Sequence, residues 1–131
     1  VAGILEYLGL GTVAKRNVGE GENQMPDMSF FTSTSGDTSY QRLPGGKLLV
    51  KGIVTMTASS LSVTFPQAFK DNSYRIFAID RGNGCVPIGA SNTNASSAML
   101  YRAGKAYNYS GVLVDITGAT AVSYFAIGEA P

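Results

Sequence analysis

Short runs of alternating apolar and polar residues, spaced by turn residues, fill the chain from about residue 40 onward. Ser60–Pro66 (SLSVTFP) sets Leu61, Val63 and Phe65 on one face and Ser62 and Thr64 on the other, the period of two that marks a strand. Tyr74–Asp80 (YRIFAID) sets Tyr74, Ile76 and Ala78 against Arg75, Phe77 and Ile79, so both faces are expected to be partly covered. Gly111–Ile116 (GVLVDI) aligns Val112, Val114 and Ile116 opposite Leu113 and Asp115. Val122–Gly128 (VSYFAIG) is apolar on both faces, as an interior strand is. Lys47–Thr57 (KLLVKGIVTMT) predicts a longer strand, with Gly52 marking a bulge or bend. The separators are Pro44–Gly46, Lys70–Asn72, Arg81–Gly84 and Arg102–Ala106. Turn signals about every ten residues predict an all-β domain, a sandwich or barrel of antiparallel strands.

Before residue 40 the pattern is different. Glycine and carboxylates dominate, and the apolar positions keep no sustained period. The chain is therefore divided at this point: residues 40–131 can bury a core, whereas residues 1–39 hardly can.

Composition sharpens this reading. Of 131 residues, 44% are apolar, enough for a core, but only 15% are charged, well below the roughly 25% usual for soluble domains. The net charge of +1 hides an asymmetry. Residues 1–39 carry two cations against five carboxylates, a net of −3; residues 40–131 carry eight against four, a net of +4. A mildly basic C-terminal part favours anionic partners. It has no Lys/Arg run or aromatic-basic motif, so nucleic acid is not expected. No apolar run approaches 18 residues, so no membrane insertion is expected. The start lacks the features of a secretory signal, and without an initial methionine the chain is expected to be a fragment of something longer.

Few routes to catalysis are open. The chain has no histidine, which removes Ser–His and Cys–His pairs and histidine metal sites. Cys85, the lone cysteine, is flanked by Val86 and Ile88 and reads as a buried small apolar side chain. Gly9–Ala14 fits a dinucleotide fingerprint, but no parallel βαβ unit surrounds it. Asp80–Gly84 has the Asp and Asn of a calcium loop without its closing Glu, and hairpin chemistry explains it equally well. Asp71, Asp80, Asp115 and Glu129 are the only carboxylates of the β region, and each reads as a solvated surface group rather than half of a glycosidase pair. No catalytic residue, metal or cofactor is expected. What remains is a surface of recognition residues: the polar stretch Ser91–Ser97, and Tyr101–Tyr109 with three tyrosines beside Arg102, Lys105 and Asn108. Tyrosine offers a flat apolar face with a hydroxyl, and Asn and Arg offer directed hydrogen bonds.

Four blocks carry a family resemblance. Leu8–Thr12, Ala14–Arg16, Val18–Gly19, Asn23–Gln24 and Pro26–Ser29 resemble the segment before the C-terminal domain in tail fibres of Mu-like and other tailed phages and related prophages. Tyr40–Gly52, Val63–Phe69 and Ser123–Glu129 are similar to three later blocks of that family, in the same order. Lys51 stands where an aromatic residue usually precedes the glycine, and residues 80–110 match nothing firmly.

The resemblance implies a homotrimer in which an extended stalk or collar, residues 1–39, precedes a β-sandwich receptor-binding tip, residues 40–131. Leu8, Leu10, Val13, Val18, Met25 and Met28 would be buried between subunits. The implied role is host recognition: a fibre tip on a virion or phage-tail-like bacteriocin, made in the bacterial host cytoplasm, that binds a surface glycan such as lipopolysaccharide. A fibre-assembly chaperone is a further implied partner. The turns at 81–84, 91–97 and 102–109 are expected to contact the receptor through Arg81, Asn83, Asn92, Asn94, Tyr101, Arg102, Lys105, Tyr107, Asn108 and Tyr109. The competing functions are an enzymatic tailspike that depolymerises surface polysaccharide, and a purely structural fibre cap.

Overall fold

The computed structural model describes residues 2–82 and 84–131. The chain falls into two units, Val1–Thr32 and Ser33–Pro131.

The larger unit is all-β and antiparallel. Strands β1 (Ser39–Leu43), β2 (Lys47–Met56), β4 (Arg75–Asp80) and β9 (Thr120–Glu129) form a four-stranded sheet in the order β1-β2-β9-β4. Strands β3 (Ser60–Thr64), β5 (Ile88–Asn94) and β6 (Ser97–Arg102) form a three-stranded sheet in the order β3-β6-β5. A separate hairpin pairs β7 (Lys105–Tyr107) with β8 (Leu113–Asp115).

The alternation read from the sequence is the alternation of burial. On β2, Leu48, Val50, Gly52 and Met56 are buried; on β9, Thr120, Val122, Tyr124 and Ala126 are. Val63, Ala98 and Leu100 come from the three-stranded sheet, and all join one core cluster with Phe65, Phe69 and Tyr74. The two sheets are thus the layers of a sandwich. Three rings close one side of it: Phe69 stacks on Tyr74 with centroids 4.7 Å apart, and Phe65 meets both edge-on at 5.3 and 5.1 Å. Edge-on and offset contacts suit the ring quadrupole. Strand β9 is the interior strand predicted, paired to β2 along ten residues and to β4 along six.

Several expectations change. Gly52 is no bulge: it pairs in unbroken register with Tyr124, and a side chain there would run into the Tyr124 ring. The irregularity lies on β5, between Asn92 and Asn94. Ser91–Ser97 is no loop but most of a hairpin, with Asn94 turning the chain from β5 into β6. Of Gly111–Ile116 only Leu113–Asp115 is a strand, and all three residues are exposed, because the β7–β8 hairpin belongs to neither sandwich layer. Strand β4 is covered on one face only: Tyr74 is buried and Phe77 and Ile79 are exposed.

Cys85 is exposed rather than buried, with φ of +53°. The reason is the turn it occupies. The Asp80 carboxylate accepts from Gly82 N at 2.9 Å and Val86 N at 3.3 Å, wrapping the turn around the acid and away from the core.

The smaller unit contains the helix α1 (Ala2–Tyr7), 3-10 turns at Val13–Lys15 and Met28–Phe30, and a bridge between Val18 and Met25. Asp27 caps the second turn, its carboxylate accepting from Ser29 N at 2.8 Å. Gly21 N donates to the Gln24 side chain at 2.7 Å, and Met25 N to Asn17 O at 2.8 Å. These bonds fix a local shape with little apolar burial: Leu8, Val13, Val18, Met25 and Met28 are exposed and Leu10 is half-buried.

Candidate functional site

Ten residues between 81 and 109 carry the sequence-based reading of a receptor surface, and the fold distributes them unevenly. Asn83 lies outside the described residues. Arg81 follows β4 and is exposed. Asn92 points inward at the edge of the sandwich, where its amide donates to Asn72 O at 2.7 Å and Tyr74 O at 2.6 Å. That amide ties β5 of one layer to the entry of β4 in the other.

Asn94 and Asn108 serve turns. Asn94 Oδ1 accepts from Ser96 N and Ser97 N, both at 2.9 Å, and from both serine hydroxyls. Asn108 Oδ1 accepts from Ser110 N and Val112 N, both at 3.0 Å, which shapes the β7–β8 loop. Short polar side chains that bond to backbone a few residues on are the usual makers of such turns.

Arg102 ends β6 as a half-buried clamp. Its Nη1 donates to Met56 O at 3.0 Å, Gly118 O at 2.7 Å and Thr120 Oγ1 at 3.2 Å, and its Nη2 to Thr57 O at 3.2 Å. The fork joins the end of β2 to the start of β9 from the opposite sheet. Lys105 pairs with Asp115 at 2.5 Å across β7 and β8.

The three tyrosines are differently placed. Tyr101, Tyr107 and Tyr109 are exposed, at 48%, 61% and 75%. Val112, Leu113 and Val114 are exposed beside them in sequence, on the β7–β8 hairpin. The free recognition chemistry of this region is therefore the three tyrosines and Arg81, whereas Asn92, Asn94, Arg102, Lys105 and Asn108 are occupied by the fold.

Sequence reasoning missed a second set of free groups, on the outer face of the four-stranded sheet. Cross-strand pairing brings Ser39, Lys51, Phe125 and Phe77 into one row over β1, β2, β9 and β4. Phe77, Ile79 and Phe125 are exposed there, and Lys51 has no ion pair among the described residues. The period-two pattern held the signal: Lys51 and Phe125 alternate with buried positions and Phe77 with half-buried ones.

The carboxylates of the β region are each engaged. Asp71 accepts from Ser73 N and from the Ser73 hydroxyl, which holds its pKa below the ordinary carboxylate value. Asp80 wraps its turn, Asp115 pairs with Lys105, and Glu129 pairs with Lys47. Burial pushes the Tyr74 and Tyr124 phenols above their ordinary value. Among the described residues no three acidic or thiol side chains converge to hold a metal, and no helix is long and apolar enough to cross a membrane.

No protein-family model matches the chain, and neither does any curated protein. The fold is similar to that of an N-truncated R2-type pyocin tail fibre, with a TM-score of 0.59 and 18% sequence identity. The likeness covers 98% of this chain and 43% of that one, so the chain spans less than half of the fibre fragment it matches. At that identity the likeness establishes the fold, an antiparallel all-β arrangement found in a tail-fibre protein.

Proposed function

We propose that this chain is the receptor-binding end of a tail fibre, on a phage virion or a phage-tail-like bacteriocin, and that it binds saccharide on the bacterial envelope without cleaving it. The observation that carries this reading is the likeness to a pyocin tail fibre over 98% of the chain. A local motif shared by chance would not extend through both units.

Two surface features support it. The β7–β8 hairpin presents Tyr107 and Tyr109, with Tyr101 exposed on β6, as flat aromatic faces with hydroxyl edges. Such faces suit sugar rings, which combine apolar C–H surfaces with polar rims. The +4 net charge of residues 40–131 suits an anionic target such as lipopolysaccharide. A depolymerase would need a pair of carboxylates across a cleft, and those of the β region are spent on turns and ion pairs.

The fibre end is a homotrimer in this reading, joined through the N-terminal arm, residues 1–39. An ordered backbone costs about 1–2 kcal/mol per residue. Five of the six apolar side chains expected between subunits are exposed in the single chain. Burying each fully would contribute up to about 1.5–3 kcal/mol. Three copies also gain avidity on a repetitive surface. A fibre-assembly chaperone would protect such an arm before the copies meet.

Capture of bacterial envelope polysaccharides by immobilised protein, with chain lengths measured before and after, tests the receptor reading. Capture with unaltered chain lengths is expected. Shortened polysaccharide would establish the depolymerase instead, and no capture from any envelope tried would favour a structural cap. For the trimer, light scattering on the full chain and on residues 33–131 is expected to give three copies and then a smaller mass. An equally robust trimer of residues 33–131 would remove the role given to the arm.

A further inference from the structure

The outward faces of the two sandwich layers have different chemistry. That of the three-stranded sheet is mixed, with Ser60, Ser62 and Thr64 on β3 and Ser91 on β5 exposed around Met99 and Tyr101 of β6. That of the four-stranded sheet carries Phe77, Ile79 and Phe125, exposed by 60%, 66% and 38%. Exposed apolar patches with polar rims mark binding surfaces.

Two adjoining depressions share Lys51 on that face. One, of about 290 Å³, is bounded by Lys51, Phe77, Ile79, Ser123 and Phe125. Its two phenyl rings belong to cross-strand partners, with centroids 6.3 Å apart and planes 31° from parallel, and together they supply its apolar floor. The other, of about 270 Å³, is lined by Thr34, Ser35, Ser39, Gln41, Leu49 and Lys51. No carboxylate lines either, and the ammonium between them is unpaired among the described residues.

We infer that this face binds an anionic saccharide, a phosphorylated sugar, with one ring on the Phe77–Phe125 floor, its phosphate on Lys51, and the next sugar in the hydroxyl-lined depression. A sugar ring matches the floor because one of its faces is C–H surface, and its hydroxyl edge matches the Thr34 and Ser35 hydroxyls. A lysine ammonium acts on phosphate as a point charge with three rotatable donors. This site is separate from the tyrosine hairpin, and it rests on the receptor reading only for the source of its ligand, the phosphorylated glycans of the bacterial envelope.

The test uses the full chain, with glucose 6-phosphate and trehalose 6-phosphate as probes and glucose and inorganic phosphate as controls. Backbone NMR shifts are expected at Lys51, Phe125 and Ser35, with trehalose 6-phosphate binding more tightly than glucose 6-phosphate. Lys51→Met is expected to weaken the sugar phosphates by about tenfold or more, the factor of one charge-assisted hydrogen bond, and to leave glucose unchanged. Phe125→Leu, which keeps apolar volume, is expected to weaken all sugars and leave inorganic phosphate unchanged. Inorganic phosphate binding as tightly as the sugar phosphates would overturn the site, as would sugar-phosphate affinity untouched by Lys51→Met. A fall in assembly mass in either variant would also overturn it, by placing a second copy on this face. Envelope polysaccharide captured equally by wild type and both variants would remove this site and leave the receptor reading intact. Sugar-phosphate binding at Lys51 without capture of any polysaccharide would do the reverse.

Discussion

Tyr124 occupies the space where Gly52, its direct partner across β2 and β9, would carry a side chain: a Cβ on Gly52 would lie 2.4 Å from the phenol ring and its hydroxyl. No real contact is that short, and Tyr124 is buried with little room to turn aside. Gly52→Ala is therefore expected to destabilise the domain by about 1–3 kcal/mol, the range for overpacking a core. Urea denaturation measures it. Adding Tyr124→Leu should restore part of the loss relative to Tyr124→Leu alone, and an alanine variant as stable as the parent would show that the ring yields freely.

Arg102→Gln is expected to cost about 2–3 kcal/mol. The guanidinium serves four acceptors at and just beyond the end of β2 and the start of β9, and charge-assisted bonds of this kind are worth about 1.5–3 kcal/mol, with the half-exposed position holding the sum low. Lysine has no fork to span Met56, Thr57 and Gly118 together, so Arg102→Lys should be nearly as damaging. Thermal melting checks both. An unchanged midpoint with reduced glycan capture would make Arg102 a receptor contact after all.

Tyr74 links pH to stability on the alkaline side. Burial raises its folded pKa, so its contribution is full below the ordinary phenol value of about 10 and is lost as pH rises through the folded value. Tyr124 acts with the same sign. Unfolding free energy is thus expected to fall above about pH 10. Tyr74→Phe should flatten that decline, at a cost near neutrality of about 1 kcal/mol for the hydroxyl's 2.8 Å bond to Ser97 O. Denaturant titrations at neutral and high pH would show a slope unchanged by Tyr74→Phe if this assignment is wrong.

Asn94→Ala removes the acceptor around which β5 turns into β6, and about 1 kcal/mol of stability is expected to go with it. Asn94→Asp keeps an oxygen in the same place and should retain most of that stability at neutral pH. If chemical denaturation ranked the aspartate variant with the alanine one, the turn would not depend on this acceptor.

The strands were legible wherever an alternating face was also a buried face. Leu61, Val63 and Phe65 lead into the core as the pattern says, and β9 is interior because both its faces carry apolar residues. Strands β5 and β7 were hidden because Ser91–Asn94 bury almost nothing and Lys105–Tyr107 only the small Ala106; hydrogen-bonded pairing sets them, and pairing leaves no period in the sequence. The same blindness misread the site. Asn92, Asn94, Asn108 and Arg102 are polar residues among turn signals, and such residues serve the backbone as readily as a ligand; only distances separate the two roles. Lys51 and the two phenylalanines attracted no notice because each sits inside a strand. Their adjacency arises from pairing between segments 26 to 74 residues apart along the chain.

The position of β9 governs how this domain must come into being. It is made after every other strand, yet it sits between β2 and β4 and hydrogen-bonds to both. Until it leaves the ribosome, β2 and β4 are two apolar ribbons with a gap between them, and no earlier segment fills it. Assembly is thus a late, all-at-once zipping with high contact order, slow for its length, and a nascent chain stalled before Thr120 would expose sticky edges to its neighbours.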